Sequence, residues 1–236
     1  LITILSGIAA WFILSEDDGG ENTNIGSFKS GMTEVISVLK MPVVWLISIV
    51  VLAAYSAYWG TYRFTSYSTD IFSLSVVVAG AISIGKMAMS PPSALVAGFI
   101  SDKIGIAKSV SILFVILILS FLIFAFMPGL PLLLPFMITN IAIASLAVFA
   151  LRGIYFALLE EGGIPMTVTG TATGFISMIG FTPDIFMPLI GGLLLDRLPT
   201  IEGYRAFFLI VAGICTLGLI AALMIYHIVS SSKKDK

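Results

Sequence analysis

Lys86 and Asp184 each stand alone as the one charged residue of a 30-residue apolar run, 71–100 and 166–195. In a membrane a charge near the bilayer centre costs about 2.5–3.5 kcal/mol on insertion scales, so such groups face a water-filled cavity or each other. Two chemistries follow. Lys86 and Asp184 could form a salt bridge that sets helix register, or Lys86 could be the counter-charge for an anionic ligand and Asp184 a proton-responsive carboxylate.

Other residues could serve the same cavity. Tyr55, Tyr58, Trp59 and Tyr62 share one helical face, with Arg63 at its end. Such a face can stack on apolar parts of a ligand and offer O–H or N–H groups to its polar parts; Tyr58, Trp59 and Tyr62 could instead form an interfacial aromatic belt. Thr139 and Asn140 lie a turn from the centre of a fourth apolar run, and Asn140 could contact a ligand. Arg152, nearer the end of that run, could snorkel to the interface or pair with Glu160 or Glu161. Gly170 and Gly174 form a Gly-x-x-x-Gly pair suited to close helix approach.

The composition supports a bilayer as the solvent. Of 236 residues 58% are hydrophobic and 11% charged, and the mean hydropathy is +1.11; about a quarter of a soluble domain is charged. A net charge of -1 leaves no basic surplus for nucleic acid. One Cys (Cys215) and one His (His227) cannot build a disulfide framework or a zinc cluster, so both are expected to be packing residues. No cofactor or metal is expected.

A crossing takes about 20 apolar residues. Six runs qualify: 43–63, 71–100, 109–127, 131–157, 166–195 and 205–227, preceded by a shorter apolar stretch at 1–14. They lack strand alternation, so helices must satisfy the backbone. The expected fold is therefore all-α, six transmembrane helices plus the end of a preceding one. Residues 15–42 form an acidic linker whose second half puts Phe28, Met32, Val35, Ile36 and Leu39 on one face, an expected interfacial amphipathic helix; Pro42 suits the first turn of the next helix. With that linker in the cytoplasm, seven basic residues (Lys29, Lys40, Lys103, Lys108, Lys233, Lys234, Lys236) fall inside against three outside (Arg63, Arg197, Arg205), which also puts the tail 228–236 in the cytoplasm. The chain begins at Leu1 within an apolar stretch and reads as the C-terminal part of a longer polypeptide.

The runs at 71–100 and 166–195 share an ending: Gly98-Phe99-Ile100-Ser101-Asp102-Lys103-Ile104 matches Gly192-Leu193-Leu194-Leu195-Asp196-Arg197-Leu198 in its Gly, three residues, Asp, basic, aliphatic order. Both are also interrupted by proline, at Pro91-Pro92 and at Pro183 and Pro188. Three crossings separate the copies, which predicts an inverted 3+3 repeat, and interrupted helices at matching repeat positions point to a binding site between them.

The segment from Gly98 to Lys108 resembles the Gly-x-x-x-Asp-basic-x-Gly loop of the major facilitator superfamily, with Ala107 in place of a usual basic residue. The resemblance implies twelve spans in two halves, with 43–227 as spans seven to twelve and a missing N-terminal six-helix half as partner. It further implies that the first and fourth runs line a central cavity, that the second and fifth flank it, that the third and sixth face lipid, and that Tyr55, Tyr58, Asn140 and Lys86 lie near the path. Gly98, Asp102, Lys103 and Gly105 would brace a gate against the other half. The stretch from Arg152 to Pro165 with Thr169-Gly170-Thr171-Ala172 also looks like bacterial members that handle sugars or organic anions.

The expected function is alternating-access transport of a small organic anion or a sugar, with protons as a coupling partner through Asp184, in a bacterial inner membrane. Lys86, Arg63 and Arg152 favour the anion. An intramembrane enzyme would need a converging acid and base, and Glu160 and Glu161 are consecutive on one helix. A noncatalytic six-span subunit is the remaining alternative.

Overall fold

The computed structural model describes residues 33–234, with side chains through Ser231. The apolar stretch 1–14 and residues 15–32 of the linker, Phe28 and Met32 among them, lie outside the described residues, as do the last two of the tail. Residues 33–39 form a short helix, α1. Val38 is buried, whereas Val35, Ile36 and Leu39 of the expected amphipathic face are exposed. Ser37–Lys236 is one compact unit and holds every later element.

Helix α2 (Pro42–Asp70) opens on proline, as its missing N–H allows. It runs seven residues past Arg63, the expected end of the run, so Arg63 lies inside the helix rather than at a loop. The run 71–100 folds as two helices, α3 (Val76–Ala88) and α4 (Ser90–Ile104). The break is at Met89, just ahead of the Pro91-Pro92 pair in the first turn of α4, because neither proline can donate back to α3. The Ser93 hydroxyl and its N–H both bond to the Met89 carbonyl and hold the joint.

Helix α5 (Ile106–Phe126) follows Gly105 directly. A 3-10 turn leads into α6 (Leu134–Ile154), which passes through a second 3-10 turn at Tyr155–Ala157 into the single-turn α7 (Leu158–Glu161). The run 166–195 is also divided, into α8 (Thr169–Gly180) and α9 (Pro183–Arg197). Its break precedes Pro183, and Pro188 is accommodated inside α9 at the cost of the bond to the Asp184 carbonyl. Helix α10 spans Thr200–Lys234.

The two interrupted runs thus have one anatomy: 13 and 15 residues for α3 and α4, 12 and 15 for α8 and α9, with the second helix opened by proline in both. The Gly98 and Gly192 motifs close α4 and α9 respectively.

Among the described residues every regular element is helical. Five stretches are long and apolar enough to cross a membrane: Pro42–Asp70, Ile106–Phe126, Pro131–Glu161, Met166–Arg197 and Thr200–Ser231. The remaining predicted run, as α3 and α4, presents two helices that are each shorter than a span.

Helix α2 is the hub. It packs against α10, α8, α6, α3 and α9, while α10 also packs along α5, and α4 along α6. Phe64, Phe121, Phe124 and Phe208 interleave with Tyr67 and Tyr204 to fill the junction of α2, α5 and α10. Close approaches occur where side chains are minimal: Gly60 against Phe121, Gly218 against Ala53 and Phe114, and Gly153 against Ala94. Gly170 and Gly174, expected to receive a neighbouring helix, have open space where a Cβ would stand. Outward-facing Ile112, Val115, Leu119, Leu217, Ile220 and Leu223 leave α5 and α10 an apolar surface, as a lipid-contacting helix needs.

Candidate functional site

The α2 helix sorts its residues by size around its axis. Ala53, Ala54, Ala57, Gly60 and Phe64 are buried among neighbouring helices, and the opposite face carries Tyr55, Tyr58, Trp59 and Tyr62 at the spacing of one or two turns. The rings touch in sequence: Tyr55 to Tyr58 at 5.7 Å between centroids, Tyr58 to Tyr62 at 5.1 Å and Trp59 to Tyr62 at 5.1 Å. The Tyr58 and Tyr62 hydroxyls share a 2.8 Å hydrogen bond.

Asp184 comes to this face from the first turn of α9. Its Oδ1 accepts the Trp59 indole N–H at 2.8 Å and its Oδ2 accepts the Tyr55 hydroxyl at 3.3 Å. The carboxylate remains exposed. Trp59 is thereby joined with Tyr55 to the Asp184 carboxylate.

Arg152 comes from the last turn of α6. Its guanidinium carbon lies 4.0 Å from the centroid of the Tyr58 ring and 5.6 Å from that of Tyr55. Neither expected carboxylate partner is used. Glu161 instead accepts the Ala107 N–H at 2.6 Å, capping α5. Arg152 also borders a cavity of about 260 Å³ with Ser90, Ala94, Phe149, Gly153 and Tyr155. Ser90 and Tyr155 carry no distinguishing spacing in the sequence; the α4–α6 contact brings them there.

Lys86 and Asp184 do not pair. Lys86, in the last turn of α3 and 6% exposed, donates to the Thr61 carbonyl at 3.0 Å and to its hydroxyl at 3.3 Å. The ammonium also lies 5.1 Å from the Tyr62 ring centroid. Lys86 therefore reaches the aromatic face from behind, through α2 itself. Asn140 is not brought to this face: it is buried and donates to the Ser120 carbonyl at 3.0 Å, joining α6 to α5. Arg63 lies against Gly191 of α9, with its guanidinium carbon 5.7 Å from the Phe207 centroid.

Gly98, Asp102, Lys103 and Gly105 are placed at the α4–α5 junction. Asp102 and Lys103 are exposed, and nothing approaches the position of a Cβ on Gly98. Gly105 has φ +94° and ψ 145°, a region essentially limited to glycine, and Glu161 fills the space beside it. Cys215 is buried, and His227 bonds weakly to Ser231 at 3.4 Å.

A second cavity, about 470 Å³, lies between α4, α5 and α6 and is walled almost wholly by aliphatic groups such as Val96, Ile100, Ile112 and Leu146. It has no charged lining.

Helices of this length and apolarity around such a face define an all-helical membrane protein. The chain is 29% identical over its whole length to the inner membrane protein YihN of Escherichia coli and 30% identical over 93% of its length to the inner membrane protein YqcE of the same organism. It spans about half the length of these curated relatives, 57% and 52% respectively. No family model matches the chain.

Proposed function

We propose that this chain forms a six-span half of a secondary transporter of the major facilitator type, which moves a small organic anion or sugar by alternating access. The Gly98–Lys108 loop and the common anatomy of α3–α4 and α8–α9 support this reading, with α3 and α4 together making the sixth crossing as an interrupted span. A second, N-terminal six-helix half closes the cavity and presents the opposite wall. The pairing fits the coverage of roughly half of each inner membrane relative.

One observation carries the reading. On a helix bordered by apolar neighbours, Arg152 and Asp184 both converge on the Tyr55–Tyr62 face, held by ring and hydrogen-bond contacts and not by each other. Charged groups kept accessible on such a surface serve a passing polar solute. No covalent step is needed, and Asp184 is the candidate group for proton coupling.

The test is uptake by the complete protein in sealed vesicles, with a panel of labelled organic anions and sugars and an imposed proton gradient. Uptake of at least one member above protein-free vesicles is expected, with gradient stimulation lost in Asp184→Asn. Absence of uptake for every member by a folded protein would overturn the reading.

A further inference from the structure

We infer that the solute is an organic anion bearing hydroxyl groups, bound with its anionic group on Arg152 and its hydroxyls toward Asp184. The inference rests on the transport reading above and narrows its substrate class.

Of the basic residues near this face, two are already engaged. Lys86 has its ammonium on both oxygens of Thr61 and over the Tyr62 ring, and is almost wholly buried. Arg63 occupies the space beside Gly191 of α9, with its guanidinium carbon 5.7 Å from the Phe207 centroid. Arg152 differs. At 4.0 Å from the Tyr58 centroid its guanidinium is steadied by a ring and also interacts with the Tyr155 hydroxyl; its five N–H groups leave donors for a planar oxyanion in the bidentate geometry arginine favours.

The other end of the face has the opposite chemistry. Asp184 repels an anionic group and accepts hydrogen bonds. Each of its oxygens takes one donor from α2 and keeps a further lone pair for a ligand. Because Trp59 and Tyr55 already temper its charge, a hydroxyl suffices as the third partner and a cation is not required. Between the two ends, the Tyr58–Tyr62 hydroxyl pair can give and receive hydrogen bonds, and the rings offer stacking surface for C–H groups. Tyr55 sets the spacing, since its ring contacts Arg152 and its hydroxyl contacts Asp184. The ligand must therefore reach across about one tyrosine side chain, as a six-carbon compound does.

The experiment uses the complete protein in proteoliposomes with labelled gluconate, adipate and sorbitol as probes. Adipate shares the chain length and anionic end without hydroxyls, and sorbitol shares the hydroxyls without the anion. Gluconate uptake is expected to exceed that of either by at least tenfold. Arg152→Gln should lower gluconate uptake at least tenfold and sorbitol uptake by less, and Arg152→Lys should retain part of the gluconate uptake. Asp184→Asn should cut the preference for gluconate over adipate. Melting of each variant within a few degrees of wild type confirms folding. Equal uptake of gluconate and adipate, or of gluconate and sorbitol, overturns this inference and leaves transport standing. If neither these probes nor any member of the anion and sugar panel crosses, both readings fail.

Discussion

Trp59 and Asp184 are joined by a 2.8 Å hydrogen bond between helices more than a hundred residues apart in sequence. With Tyr55 on the other carboxylate oxygen, the bond fastens the start of α9, directly after its break, to the aromatic face of α2. Trp59→Phe keeps the ring and removes the donor. It is expected to lower uptake severalfold and to cost about 1.5–3 kcal/mol or less in thermal unfolding, the range for a hydrogen bond to a charged group, with exposure of the carboxylate placing it at the low end. Wild-type uptake in Trp59→Phe would show the bond to be incidental.

Lys86 is a buried cation whose partners, Thr61 and the Tyr62 ring, are neutral. Such a charge is a burden on stability. Lys86→Met is expected to leave the melting temperature unchanged or raise it, because a buried charge with no counter-ion among the described residues carries a desolvation cost, while uptake falls. Strong destabilisation together with unimpaired uptake per folded molecule would instead make Lys86 a pin between α3 and α2.

Gly153 brings α6 against α4, where a Cβ would stand 2.8 Å from the Ala94 side chain and 3.0 Å from its Cα. Gly153→Val should cost about 1–3 kcal/mol as an overpacked contact and also displace neighbouring Arg152. Gly174→Ala, where the space is open, should be neutral or stabilising by up to about 1 kcal/mol through helix propensity. Thermal melts of the two variants side by side check the contrast.

Glu161 caps α5 through Ala107 while filling the space beside Gly105. Glu161→Ala should cost about 0.5–2 kcal/mol, the worth of an N-terminal cap, and Glu161→Gln less, since the amide oxygen can still accept. Gly105→Ala should cost about 1–3 kcal/mol for its backbone conformation. Denaturation midpoints in detergent measure all three, and an unaffected Glu161→Ala would deny the cap its role.

Local chemistry was legible in the sequence, while partnerships across the fold were not. Composition and run length exposed the apolar helices, and the prolines marked both broken runs, with each break falling just ahead of the proline because the missing N–H and the restricted preceding residue act there. The shared face of Tyr55, Tyr58, Trp59 and Tyr62 was visible from helical period alone. Which residue met that face was not. As lone charges at membrane depth Lys86 and Asp184 admit either a salt bridge or separate roles, and Lys86 turns instead to the carbonyl and hydroxyl of Thr61 on α2, groups no sequence pattern flags. Arg152 looked close enough to the boundary to snorkel, but the 3-10 turn after α6 and the approach of α4 at Gly153 place it on the Tyr58 ring. Asn140 is polar for the sake of the α5–α6 contact, which period alone cannot distinguish from a cavity-facing role.

Alternating access is tested most directly by thiol labelling of Tyr58→Cys in the complete protein, in membrane vesicles of each orientation, with a membrane-impermeant maleimide. Native Cys215 is buried in the structure, and an outward aliphatic position on α10, Leu217→Cys, supplies the lipid-facing control. The α2 face should label from both sides of the membrane, with saturating solute slowing the reaction, while the control labels from neither. Labelling of Tyr58→Cys from one side only, or from neither, would contradict a solute path that opens alternately on this face.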